Sequence, residues 1–510
     1  MAVPVLCIAA VLFLQYRYGF NWGDEGWLWY ISKRAALGEV PVRDYFSYDP
    51  GRYYWSVAIF KLLGRSGLFE QLLASYLFGA IGLAASYMAM ARVGVGRSWR
   101  LGILLLLGVA LGFPRHKIFE QSLSLIATAG ITFVLDNPEK QRRWFIYGIA
   151  TGLAAFIGRN SGLYFAVASL LTFILLRLGG RTPTVKASLV PLLGGIAIGY
   201  SPMLFMMLRF RGFTSAFIDS VLLTPKWSWQ LRIPFPWRSH AGSLHGLDAW
   251  QMHAVSWLCL VAPLTYLFII WVGYKSELKG PRALAVGASL AGLPYLHHAF
   301  YHADFPHIAQ AVLPFIVAVA ALSYHSWAAG RGQWGLACFA SMTFLVLSSW
   351  LPMEPLVQHL RIESRSPQSL AQIAIDGRKF EMSTNQATVM NAAKASFESC
   401  GPHDGSFLEA PFYPGLYAFL NTRAPFWDTY YLWPRSSDLQ QRHVDALVAH
   451  STSLVLLNPE ATFDGQDWLR IERTYPKLVD YIHSNYRRSD EVLPAGFELY
   501  YSPQMCPSMQ

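Results

Sequence analysis

Two adjacent carboxylates, Asp24 and Glu25, lie in the stretch Asn21-Trp-Gly-Asp-Glu-Gly26, directly after the first apolar run, among Trp22, Trp27, Trp29 and Tyr30. Such aromatics favour a water–lipid interface, where ring and polar edge are both satisfied. A carboxylate at that depth is desolvated on one side, which tends to raise its pKa and make it a stronger base. An Asp-Glu pair can equally cap a helix. Residues 38–44 form a turn ending in a further acid, Asp44, and Tyr48-Asp-Pro-Gly-Arg52 is a tight turn opening on Asp49. Turn capping suits Asp49 better than catalysis, and suits Asp44 about as well.

Two groups of cations occur at span ends where the charge pattern disfavours them: Arg115, His116 and Lys117, and then Arg159. Arg binds phosphate in a bidentate fork and Lys as a point charge, so these residues are candidate phosphate ligands. Snorkelling side chains are the plainer alternative. A third group holds His297, His298, His302, Asp304 and His307 within one short stretch. His298, His302 and Asp304 are candidate ligands for a divalent metal, Mg or Mn. The stretch crosses a span end, a turn and Pro306, so no helical pair of ligands emerges. A hydrogen-bonded polar junction that contacts substrate is the preferred reading.

These residues need a membrane scaffold. The chain has 510 residues, 53% apolar and 14% charged, against roughly 25% charged in soluble domains. Its net charge of +10 calls for no nucleic acid, because Lys and Arg gathered on one membrane face account for it. Apolar stretches of about 17–25 residues can span a bilayer. They fall near 2–18, 68–91, 98–114, 118–135, 144–158, 161–178, 187–208, 252–274, 282–299, 307–327 and 334–351. Residues 52–64 are short and contain Lys61, so they are expected to lie in the interface. With that choice the basic loops alternate, which predicts about 11 spans, a cytoplasmic basic face and an outer C-terminus. The first run, 3–14, reads as a retained span rather than a signal peptide. Residues 224–250 carry several Trp and Pro and read as a lid or an interfacial loop. From Pro352 the composition turns polar, and a small α/β domain over 352–510 is expected, with strands at 454–457 and 497–501. Cys400 and Cys506 can pair if that domain is extracytoplasmic.

The motif set resembles the GT-C superfamily of polytopic glycosyltransferases, in particular the protein O-mannosyltransferase and aminoarabinose transferase-like group. The matching residues are Asp24-Glu25 after span one, the turn at 38–44, Tyr48-Asp-Pro-Gly51, Arg159, Asp304–His307 and the stretch from Pro414 to Arg423. The resemblance implies a polytopic α-helical fold with an extracytoplasmic domain and a polyprenyl-phosphate sugar as donor. It implies transfer on the outer face of the inner membrane, with inversion, to a glycan, lipid or protein acceptor. It gives Asp24 the role of base, with Glu25 and Asp44 supporting. Arg115, His116, Lys117 and Arg159 would hold the lipid phosphate, and Tyr48, Asp49, Asp304 and His307 would contact substrate. Tyr48-Asp-Pro-Gly51 departs from the His-Pro-Pro turn of the eukaryotic O-mannosyltransferases, so a protein acceptor is not carried over. A flippase for lipid-linked glycans is the competing reading. It predicts ionisable residues at span centres and symmetric halves, neither of which the chain shows.

Overall fold

The computed structural model describes residues 2–181, 184–228, 246–301, 304–463 and 465–506. The chain clusters into two compact units. The first contains Met1–Gln15, Asp49–Arg52 and Leu72–Val357, and the second Tyr16–Tyr48, Tyr53–Gln71 and Gln358–Gln510. Most of the first loop, which the sequence reading grouped with the membrane part, thus joins the C-terminal region.

In chain order the helices begin with α1 (Ala2–Gln15), α2 (Asp24–Ala36), α3 (Gly51–Leu63), α4 (Leu68–Arg92) and α5 (Arg97–Gly112). They continue with α6 (Ile118–Asp136), α7 (Gln141–Ile157), α8 (Arg159–Leu178), α9 (Val185–Gly199), α10 (Ser201–Arg209) and α11 (Phe213–Ser228). Then follow α12 (Leu247–Lys275), α13 (Pro281–Tyr301), α14 (Phe305–Ala328) and α15 (Gly332–Trp350). A helix occupies each of the eleven stretches expected to span. Among the described residues, six helices are long and apolar enough to cross a membrane, or seven if α9 and α10, bent by 46°, form one span. Residues 52–64 are helical as α3, while 229–245, the middle of the expected lid, lie outside the described residues.

The first unit is organised around α6. Its Ser122, Ser124, Thr128 and Thr132 are buried, and each hydroxyl bonds a carbonyl three or four residues back in the same helix. Their polar atoms are therefore satisfied internally, as an apolar surrounding requires. Between α7 and α9 the contact is glycine to glycine. Gly148 and Gly152 face Gly195 and Gly199, and a β-carbon on any of the four would come within 2.4 Å of a backbone atom of the opposite helix. Small residues four apart let two helices approach closely and pack by dispersion alone.

The second unit ends in α16 (Pro355–Arg365), α17 (Thr384–Ser399), α18 (Gly415–Leu420), α19 (Ser437–Ala449), α20 (Ile471–Thr474) and α21 (Pro476–Asn485). Strands β1 (Leu370–Ile375) and β2 (Arg378–Ser383) form a hairpin. Its turn is Asp376-Gly377 with φ of 49° and 78°, the mirror-image turn that suits strand twist. A four-stranded sheet has the order β3-β4-β6-β5, from β3 (Phe407–Ala410), β4 (Leu454–Leu457), β5 (Arg487–Arg488) and β6 (Glu498–Tyr501). Strands β3 and β4 are parallel and buried throughout. The expected strand at 497–501 is β6, and it lies inside the sheet rather than at its edge. Leu408, Val455, Leu457, Ile471, Leu478 and Ile482 form the core, and Cys400 is disulfide-bonded to Cys506.

Helix α2 belongs to this same packing. Trp27 Nε1 donates to Thr429 Oγ1 at 3.1 Å, Lys33 Nζ to the Ala418 carbonyl at 2.9 Å, and Ala424 N to Tyr30 Oη at 2.8 Å. Gly26 meets Gly415 so closely that a β-carbon on Gly26 would lie 2.4 Å from the Gly415 Cα.

Candidate functional site

The junction of α7 and α8 is one extended residue, Gly158, with a helix ending before it and another starting after it. The first-loop turn inserts there. Asp49 accepts hydrogen bonds from the Arg159 backbone N–H at 2.7 Å and from Arg159 Nε at 3.0 Å. Arg52 donates from Nε to the Ile157 carbonyl at 3.1 Å and from Nη1 to Glu120 Oε1 at 2.7 Å. A carboxylate thus sits at the positive end of α8 and a guanidinium at the negative end of α7, each where the helix dipole favours it. Glycine is needed at position 51, because a β-carbon there would lie 2.8 Å from the Phe156 carbonyl oxygen. Asp49 was expected to cap its own turn. It is 3% exposed and caps α8 instead, fixing the Arg159 side chain as it does so.

Arg159 has more donors than Asp49 uses. Its Nη2 donates to Ser220 Oγ at 3.0 Å, and its guanidinium carbon stands 5.0 Å from the Phe217 ring centre. Its Nη1 is buried without a hydrogen-bond partner among the described residues. Glu120 Oε2 and His298 Nε2 are in the same condition. Burying a polar atom unpaired costs about 1–3 kcal/mol, and three such atoms fall around this junction.

The ends of α13 and α14 complete the junction. Tyr164 Oη and His297 Nδ1 are 2.9 Å apart, and the His298 and His307 ring centres 6.5 Å apart. Asp304 caps α14 through His307 N at 2.8 Å and holds His307 Nδ1 at 2.6 Å. Lys117, Glu120 and His307 all lie within electrostatic reach of His298. Lys117 and His116 are half-buried in the short turn Arg115–Lys117 before α6. Arg115 lies deeper in the same turn. It is 4% exposed and donates to the carbonyl of Gln15, the last residue of α1, at 3.3 Å, which is a helix-capping role.

The remaining candidates lie in the second unit. Asp24 opens α2, its N–H donating to Asn21 Oδ1 at 3.0 Å and its Oδ1 accepting from Tyr430 Oη at 3.3 Å. Glu25 is 7% exposed and accepts from Asn21 N at 3.3 Å, so Asn21 and Glu25 cap the helix reciprocally. Asp44 accepts from Val40 N at 2.7 Å and pairs with Arg43 at 2.7 Å, holding its own loop. Those partners keep its carboxyl below the usual range despite the opposing effect of partial burial. Tyr48 is exposed, its ring edge-on to Trp27 at 4.6 Å.

The sequence reading missed Arg52, Glu120, Tyr164 and the role of His297. Glu120 carried a usable signal: an acid three residues after Lys117, inside an apolar stretch. A divalent metal would need three or more converging donors. No group of three His, Cys, Asp or Glu able to hold one forms among the described residues, and His302 lies outside them. Both Asp49 oxygens are taken by Arg159, and Asp304 Oδ1 by His307.

No family model matches the chain, and no curated protein matches it. Solved structures do. ArnT from Cupriavidus metallidurans bound to undecaprenyl phosphate aligns over 98% of this chain and 96% of its own, with a TM-score of 0.54 at 12% identity. The Archaeoglobus fulgidus oligosaccharyltransferase in its apo form aligns over 99% and 74%, with a TM-score of 0.50 at 11% identity.

Proposed function

We propose that this chain, a multi-pass membrane protein with the GT-C fold of those two structures, is a glycosyltransferase using a polyprenyl-phosphate sugar. The observation that carries the reading is the α6–α8–α13–α14 junction. There Arg159 is anchored by Asp49 yet keeps a buried Nη1 with no partner among the described residues, with Lys117 on the same outer ends. Such a site suits an anion, and ArnT was solved with undecaprenyl phosphate. The sugar is a hexose or pentose, and the acceptor a hydroxyl of an envelope glycan, glycolipid or protein.

In the proposed reaction the acceptor oxygen attacks the sugar C1 and its proton passes to Asp24. The C1–O bond to the phosphate breaks with inversion, and the lipid phosphate leaves carrying one more negative charge. Arg159 and Lys117 stabilise that charge, the largest single effect open to such a site. Asp304 and His307 orient substrate, Glu25 and Asp44 hold the first loop, and no step is routed through a metal. We place the reaction and the C-terminal domain on the outer face of the inner membrane, with about eleven spans. The Cys400–Cys506 disulfide and the alternating basic loops support that orientation.

The test is transfer from radiolabelled polyprenyl-phosphate sugars in membranes, with crude envelope as acceptor. Asp24→Asn is expected to lower the rate by about 10²-fold or more, the weight of a general base, at unchanged protein level. Full activity in that variant would overturn the assigned base. A chelator arm runs in parallel, and a rate that falls with chelator would bring His302 and Asp304 into the mechanism.

A further inference from the structure

Several contacts within the second unit hold Asp24 in place. The start of α2 rests on the loop that leaves β3. Gly415 N donates to the Trp22 carbonyl at 2.9 Å, and a β-carbon on Gly23 would stand 3.2 Å from the Phe412 carbonyl oxygen. Asn21 Oδ1 accepts from the Asp24 N–H at 3.0 Å. The carboxylate itself is met by Tyr430, whose hydroxyl donates to Asp24 Oδ1 at 3.3 Å. The same β-carbon on Gly23 would stand 3.8 Å from that hydroxyl, so loop, helix start and phenol meet in one place.

Tyr430 is fixed in its turn. It is 6% exposed, and its ring meets Trp27 edge-on at 5.2 Å. Both of its chain neighbours are pinned: Thr429 Oγ1 accepts from Trp27 Nε1 at 3.1 Å, and Tyr431 N donates to the Pro411 carbonyl at 2.8 Å. Asp24, Tyr48 and Glu409 are the titratable groups whose charge bears on the phenol among the described residues. Burial, reinforced by Asp24, pushes the phenol well above its ordinary value, so it keeps its proton and meets the carboxylate as a donor. Glu409 brings no competing charge, because burial in β3 pushes its carboxyl up as well.

We infer that Tyr430 is the positioning residue of Asp24, its hydroxyl fixing the plane of the carboxylate and favouring the ionised form that can take a proton. The inference rests on the proposed role of Asp24 as the transferase base. A hydrogen bond given to the charged form of an acid keeps that form populated to lower pH. A carboxylate already oriented also spares the reaction the entropy of orienting it.

The experiment is the pH–rate profile of transfer from a radiolabelled polyprenyl-phosphate sugar, measured on the full chain in membranes. Tyr430→Phe keeps the ring and removes the donor. It is expected to lower kcat about tenfold at unchanged donor KM, and to move the acid limb of kcat upward by about half a pH unit or more. A mere loss of folded protein would scale the whole profile and leave its shape. Fluorotyrosine at position 430 keeps the hydroxyl and is the stronger donor, so the limb should move the other way, to lower pH. Added to Asp24→Asn, Tyr430→Phe should cause no further loss. If Tyr430→Phe misfolds, the fluorotyrosine protein decides alone. With Asp24 required, a limb that stays put in either folded protein, or a further loss in the double variant, overturns the positioning role and leaves the base intact. No transfer by the wild type, or full activity of Asp24→Asn, overturns the base itself, and the positioning role falls with it.

Discussion

Asp49 shows how much one side chain arranges. Its two oxygens hold the backbone and the Nε of Arg159, so the guanidinium is aimed before any ligand arrives. Asp49→Asn keeps an acceptor for the N–H but removes the charge. It is expected to cost about 1–3 kcal/mol in a detergent melt and to raise the donor KM by about tenfold, one charge-assisted hydrogen bond's worth. An unchanged KM would separate Arg159 from donor binding. Glu354 offers a test by pH. It is 7% exposed and packs on Gly112, and burial pushes its carboxyl up to about 8, against the opposing hydrogen bond from Gln15 and the charge of Arg115. An acid whose folded pKa is raised contributes fully below its ordinary value near 4.5, and that contribution fades as pH rises through 8. Stability should therefore fall between about pH 5 and pH 8, by no more than about 1.4 kcal/mol per pH unit, and the melting temperature with it. Glu354→Gln should flatten the decline.

At the scale of elements, the α7–α9 pair holds up the wall that ends at Gly158. Gly152→Val puts branched carbons against the Ile196 carbonyl, which a β-carbon alone would meet at 2.4 Å. The expected loss is about 1–3 kcal/mol or more, seen as a lower melting temperature and an aggregated fraction on gel filtration. The helices themselves were legible, because a long apolar run has one reading in a membrane and the basic loops divide the runs. What escaped was the pairing of polar residues distant in sequence. Asp49 and Arg159 are 110 positions apart, and nothing local to Tyr48-Asp-Pro-Gly-Arg52 says that the turn caps a distant helix. The bond from Arg115 to Gln15 at the end of α1 escaped for the same reason. The acid Glu120 was visible but was passed over as part of a span.

At the scale of the whole molecule, composition turns polar from Pro352, but nothing in the sequence signals that residues 16–48 cluster with the second unit. The Cys400–Cys506 bond closes a loop of sequence separation 106, which chain-entropy reasoning values at about 4–5 kcal/mol. Cys400→Ser with Cys506→Ser should lower the melting transition of that unit, followed by tyrosine and tryptophan fluorescence, with a smaller effect on the helical signal of the first. The packing of α2 on α18, glycine against glycine, reaches beyond stability. A region that depends on residues 16–48 for its surface is not a detachable cassette. Grafting the last 150 or so residues of one such protein onto the spans of another should fail unless the first loop travels with them. The two segments are therefore expected to be inherited together, as a lock and its key, although some 300 residues of membrane helix separate them in the gene.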